Sequence, residues 1–212
     1  MVLDNLTLDI NNSYWSCFYK TDISKSLGMN SNFAEFTLRN ANEIFVNEVH
    51  KKTTLLDIGC GNGKDLNYFR KNGIDAYGID LNAGDNSQYI TSDNALNISR
   101  KCDVYYLRFF IHTLRETQLD AFLANLFKIT SKESYIFLET RSSKAVTDNE
   151  RSETNFQSTI GDAHYRMLYS HKYLSEKVKK YFNVFFSIED KGLATFRGED
   201  PYIIRMVLTK YE

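Results

Sequence analysis

Proline, cysteine and net charge are all scarce in this 212-residue chain: it has one proline, three cysteines and a formal charge of −1. Cys17, Cys60 and Cys102 are odd in number and show no C-x-x-C spacing, which speaks against a disulfide framework or a zinc site; they read as packing or loop residues. No metal is expected. Without a basic run, the chain lacks the electrostatic footprint of a partner for nucleic acid polymers or anionic membranes. The longest apolar runs are strand-sized, and the first ten residues carry acids where a signal peptide has a basic region ahead of an apolar one. A cytoplasmic protein without membrane insertion is the expectation. Internal repeats and low-complexity tracts are missing as well. What the chain has instead is 14 tyrosines and 15 phenylalanines, material for a full core, and its length suits a single domain over residues 1–212.

The most informative stretch runs from Thr54 to Asp80. A short apolar run, Leu55, Leu56 and Ile58, ends in the cluster Gly59, Gly61 and Gly63, and a helical pattern with Leu66, Tyr68 and Phe69 follows. A second apolar run, Ala76 to Ile79, stops at Asp80. This spacing predicts a βαβ unit with a carboxylate at the tip of its second strand. Glycines at such a turn let the backbone approach a ligand closely, and the helix behind them offers free N–H groups. A carboxylate about twenty residues on suits a ribose diol. The dinucleotide pattern G-x-G-x-x-G fails, because Lys64 stands where its third glycine belongs, and a nicotinamide oxidoreductase is disfavoured.

Asp57-Ile58-Gly59-Cys60-Gly61-Asn62-Gly63, with Asp80 after it, resembles the first motif of class I S-adenosylmethionine (SAM)-dependent methyltransferases. The resemblance covers almost the whole chain in element order, although only this motif and Asp80 are individually specific. It implies an α/β, Rossmann-like class I methyltransferase fold: a mostly parallel seven-stranded sheet with an antiparallel closing strand and helices on both faces. SAM is then the cofactor, S-adenosylhomocysteine the product, and the partner a small-molecule acceptor. By the same resemblance the cofactor residues are Asp57, Gly59, Cys60, Gly61, Gly63, Asp80, Leu81, Asp93, Asn94, Ala95 and Arg108. Asp80 would hold the ribose diol and Asp93 the adenine amino group, while Asp57 orders the glycine loop.

Within that frame residues 1–50 form an N-terminal lid and helix segment, 51–141 the SAM-binding core, and 142–212 an acceptor-specificity insertion with the closing strands. The first segment carries an aromatic knot, Tyr14, Trp15, Phe18 and Tyr19, that either packs on the domain or closes over a ligand. A helix is expected from Asn32 to about Val49, with Glu35 as capping partner, and another from about Gln118 to Ile129 capped by Thr117. Ser31-Asn32-Phe33-Ala34-Glu35-Phe36, with Tyr14, Trp15 and Tyr19 upstream, looks like the N-terminal segment of methyltransferases from bacterial capsule and surface-polysaccharide clusters. That likeness implies an O-methyltransferase for a sugar, a nucleotide-activated precursor or a phosphoramidate group. A catalytically silent SAM-binding partner is the alternative reading.

Chemistry in open α/β sheets gathers at the carboxyl ends of the strands. His112, just past the fourth strand, is therefore the candidate general base, since imidazole titrates near neutrality. Glu139, Arg141, His164, Tyr165 and Arg166, with Tyr14, Trp15 and Tyr19, are the candidate acceptor residues. Arg108, Arg141 and Arg166 form a candidate anion-binding set, because guanidinium grips oxyanions bidentately. Residues 142–163 are polar and aperiodic, and read as an irregular insertion.

Overall fold

Ser31 and Asp65 fix how the first long helix meets the rest of the chain. In this computed structural model, which describes residues 13–20, 30–45, 52–83, 88–144, 151–156, 164–196 and 198–211, helix α1 spans Asn32–Ile44. Its N-cap is Ser31, one residue earlier than the sequence suggests, with the hydroxyl accepting from the Ala34 N–H at 3.0 Å. The expected extension to Val49 passes outside the described residues.

The βαβ unit forms as expected: β1 (Thr54–Ile58), α2 (Lys64–Lys71) and β2 (Asp75–Ile79). After it come β3 (Ile90–Thr91), a 3-10 turn at Ala95–Asn97, β4 (Val104–Arg108) and a second 3-10 turn at Ile111–Thr113. Helix α3 (Glu116–Ile129) starts earlier than expected: its cap is Arg115, whose backbone N–H is taken by the Gln118 side chain at 2.8 Å. Strand β5 (Tyr135–Arg141) leads to β6 (Arg151–Phe156) and β7 (His164–Tyr169), then to helix α4 (His171–Val178), β8 (Phe182–Asp190) and β9 (Ile203–Lys210).

Seven strands form one sheet in the order β3-β2-β1-β4-β5-β9-β8, with β9 antiparallel to both its neighbours. Side chains alternate across it. Leu55, Val104, Tyr106 and Phe137 pack against α1 and α2, while Leu56, Tyr105, Ile136 and Leu138 pack against α3 and α4. Both faces are therefore buried, and the strand ends carry the polar groups. This is the Rossmann-like class I methyltransferase architecture that the sequence implies.

The irregular insertion is corrected. Part of residues 142–163 is β6, which pairs antiparallel with β7 as a separate two-stranded sheet from Arg151↔Tyr169 to Phe156↔His164. It hangs from the end of β5, where the Ser143 N–H donates to the Tyr169 carbonyl at 2.9 Å. Among the described residues no helix is long and apolar enough to cross a membrane.

Asp65, on α2, is the buried junction of these parts. One of its oxygens accepts from the Ser31 N–H at 2.8 Å, and the other from the Ser31 and Tyr106 hydroxyls at 2.7 and 2.8 Å. Asp65→Ala removes the acceptor and strands three buried donors, so it is expected to destabilise the fold by about 2–4 kcal/mol in urea denaturation. A loss below about 0.5 kcal/mol, the size of an ordinary surface substitution, would contradict this reading.

Candidate functional site

The strand ends of β1, β2, β4 and β5 open into a cavity of about 530 Å³, within the range of small-molecule sites. At one end lies the glycine loop. Gly61, in the left-handed region at φ 55°, is buried, and a Cβ there would come within 2.6 Å of the Tyr19 ring. Only glycine lets the Tyr19 ring lie this close to the loop. The loop's other two glycines pack inward: a Cβ on Gly59 would strike Phe110, and one on Gly63 would strike Ile90. Gly59 lines the cavity and Gly63, which opens α2, does not.

Asp80 closes the loop from the tip of β2. Its carboxylate accepts from the Gly61 N–H at 2.9 Å and from the Asn82 N–H at 2.8 Å, one on each oxygen. Each oxygen keeps a further acceptor direction, and the residue is only half-buried. Burial raises its pKa, opposed by those two N–H groups. Asp57 beneath it is buried, and burial followed by the charges of Asp65 and Asp80 pushes its carboxyl well up. Cys60, whose thiol is likewise pushed well up by burial, packs its sulfur on Gly78.

Leu81, Asn94 and Ala95 also line this end. Asp93 does not: it is exposed, and its carboxylate accepts from the Asn94 N–H at 2.6 Å as a turn acid. The Asn94 side chain instead caps the 3-10 turn at Leu96.

Tyr14, Trp15 and Tyr19 reach the cavity from a helical turn at residues 13–18. Tyr14 stacks on His164 with ring centroids 3.9 Å apart, and Trp15 meets the same imidazole edge-on at 5.2 Å. Tyr19 lies over the glycine loop, and burial, followed by the nearby Asp80, pushes its phenol pKa well up. The aromatic knot therefore spans from β7 to the loop as a roof.

Glu139 and Arg108 form the cavity's middle. The Glu139 carboxylate, 1% exposed, accepts from Arg108 Nε at 3.1 Å and Arg205 Nε at 2.6 Å. Burial raises its pKa and the two arginines oppose that rise. At the far end stand Arg115, Arg141, Arg166 and Glu199, with Arg141 paired to Glu199 at 3.1 Å.

His112 is the main correction. It sits on the second 3-10 turn, which follows Phe109 at φ 53°, and this reversal turns the imidazole inward rather than into the cavity. It is 1% exposed, with Nδ1 3.4 Å from the Thr140 hydroxyl; Nε2 has no hydrogen-bond partner among the described residues. Burial, then Arg166, Arg141, His164 and Arg108, hold its pKa well below the usual imidazole value. In this conformation the ring is enclosed and does not line the cavity. His164 and Tyr165 are also buried off the cavity surface.

Several lining residues carried no signal in the sequence reading. Lys64, Asp65, Phe109, Arg115 and Gln118 lie beside recognised motifs, whereas Leu193 to Phe196 and Glu199 come from the long connection between β8 and β9. Arg115 had a usable signal, since it abuts a helix start.

Residues 29–182 match a family model described as a methyltransferase domain. Among solved structures, the chain is similar to the Burkholderia thailandensis 1,6-didemethyltoxoflavin-N1-methyltransferase bound to 1,6-didemethyltoxoflavin and S-adenosylhomocysteine, at 14% identity and TM-score 0.67, covering 98% of this chain and 88% of that one. The N-methyltransferase NodS from Bradyrhizobium japonicum, in complex with S-adenosylhomocysteine, aligns at 12% identity and TM-score 0.64 over 95% and 100% of the two chains. A SAM-dependent methyltransferase from Methanosarcina mazei aligns at 16% identity and TM-score 0.61 over 79% and 96%. No curated protein matches the sequence.

The inward imidazole makes stability depend on pH. Because the folded pKa of His112 lies below its unfolded value, its contribution is intact above about pH 6.5 and is lost as pH falls below that. Between pH 6.5 and 5.5, wild type should lose up to about 1.4 kcal/mol per pH unit more than His112→Gln. Urea denaturation of both proteins across that window measures the difference, and parallel slopes would place the imidazole in solvent.

Proposed function

The chain belongs to the methyltransferase-domain family, and from that premise we propose that it transfers a methyl group from SAM to a small polar acceptor. The observation that carries this reading is the junction of Asp80 with Gly61: a half-exposed carboxylate at the tip of β2 that accepts from the Gly61 and Asn82 N–H groups at the cavity's edge. The residues fit the cofactor chemically as well. SAM is cationic at its sulfonium and ammonium groups, and Asp57, Asp65 and Asp80 put carboxyl groups at this end of the cavity.

When bound, SAM supplies an electrophilic methyl group for in-line displacement. The chain's own part is positioning and exclusion of water. Asp80 would accept from the ribose diol, Gly59, Cys60 and Gly61 would line the space for the methionine portion, and Leu81, Asn94 and Ala95 would flank the base. Asp57 stays beneath the loop and orders it. Tyr19, Trp15 and Tyr14 roof the cavity, keeping water from the transfer path and shaping the acceptor's space. Arg108 and Glu139 would stand between donor and acceptor.

For the acceptor we propose an oxygen of a sugar, an activated sugar precursor or a phosphoramidate group in capsule or surface-polysaccharide biosynthesis. The likeness of Ser31 to Phe36, and of Tyr14, Trp15 and Tyr19, to the N-terminal segment of such enzymes supports it. With His112 enclosed, an acceptor that arrives already deprotonated suits the cavity better than one needing a general base.

Asp80→Ala is expected to weaken S-adenosylhomocysteine binding by about 1.5–3 kcal/mol, the worth of a hydrogen bond to a charged group. Titration calorimetry on both proteins reads it, and in wild type the ligand should raise the melting temperature as any native-state ligand does. Unchanged affinity in the variant would displace the ribose from Asp80.

A further inference from the structure

The cavity is electrically two-ended. Carboxyl groups of Asp57, Asp65 and Asp80 line it beside the glycine loop, and among the described residues Arg141, Arg166 and Glu199 line it together elsewhere. Arg108 belongs to a separate balanced set: it and Arg205 share Glu139 at 3.1 and 2.6 Å, and Arg108 also approaches Asp65 at 4.0 Å.

The two arginines nearest each other are held rather than loosely placed. Arg166, 8% exposed, donates from Nε to His164 Nε2 at 3.0 Å. A ring nitrogen that accepts carries no proton, so His164 is in its neutral form with the proton on Nδ1. That imidazole is in turn clamped under the Tyr14 ring at 3.9 Å, which fixes the direction of the guanidinium. Arg141, from the end of β5, is held by Glu199 at 3.1 Å. Like charges set this close oppose one another: burial first, then Arg141, pushes the pKa of Arg166 down to about 9. It remains cationic at neutral pH, at a cost that an incoming anion would relieve.

We propose that Arg141 and Arg166 form a subsite for an oxyanion carried by the acceptor, and that Glu199 is a resident counter-ion which the acceptor displaces from Arg141. This rests on the methyl-transfer reading for its setting and names the class of substrate: a small organic anion bearing a phosphoryl or carboxylate group. Glu199 suits the displaceable role. It reaches Arg141 from the connection between β8 and β9, where its backbone pairs with Phe196, so its side chain can give way without breaking a strand. Arg166, by contrast, sits within the β7 ladder and stays put.

The two roles predict opposite signs. Calorimetric titrations use inorganic phosphate and, separately, acetate with the protein alone, and S-adenosylhomocysteine affinity is measured in parallel. Arg141→Gln and Arg166→Gln should each weaken anion binding at least about tenfold, as expected for loss of a charge-assisted bond. Glu199→Gln should tighten it several-fold, because the competitor is gone. S-adenosylhomocysteine affinity should be the same in all of them. Preference for phosphate names a phosphoryl acceptor and preference for acetate a carboxylate one; either supports the subsite. Anion binding that ignores both arginines, or that weakens in Glu199→Gln, overturns it. Should Arg166→Gln fail to fold, Arg141→Gln and Glu199→Gln decide the matter by themselves. Failure of S-adenosylhomocysteine to bind wild type would instead strike the methyl-donor reading and leave the anion result to stand or fall separately.

Discussion

A buried line of alternating charge runs across the carboxyl edge of the sheet, and both ends of the cavity hang from it. Asp65 receives the α1 cap and Tyr106; Arg108 approaches it at 4.0 Å; Glu139 joins Arg108 to Arg205; and Arg205 donates to the Leu193 carbonyl at 2.6 Å. Ions taken out of water are tolerated only when each finds a partner of good geometry. Here every member touches a different element, so satisfying the charges also sets how α1, α2, β4, β5 and β9 sit together. The glycine loop at one side and the connection after β8 at the other inherit their positions from this line.

That arrangement gives one cavity two electrostatic characters without an open field between them. Asp65, Arg108, Glu139 and Arg205 together sum to zero charge across the middle of the cavity. Such a division suits the cationic methyl donor and the oxyanion acceptor proposed above, each at its own end. Proximity with correct order is most of what a displacement at carbon asks of a protein.

The sequence made the first part of this legible and obscured the second for physical reasons. Alternating apolar residues and a glycine turn report the βαβ unit, because strand burial and tight turns leave local marks at Leu55 to Gly63. Asp80 was legible for the same reason. The cap of α1 was read one residue late because Ser31 and Asn32 are both good caps, and only the pairing with Asp65 chooses between them. Strand β6 hid because its residues, Arg151-Ser152-Glu153-Thr154-Asn155-Phe156, carry almost no apolar alternation. The inward turn of His112 follows Phe109, whose positive φ no pattern announces for a phenylalanine. Glu199 lies in a connection, where spacing carries no information about direction.

Glu139 on β5 and Arg205 on β9 are paired across 66 residues of chain. Joining β9 to β5 therefore closes a loop that holds β6, β7, α4 and β8. Pairings across such long loops carry a large closure entropy and form slowly. The β1–α2–β2 contacts are local by comparison, so the entropy of closing the sheet is concentrated on its β5–β9 side.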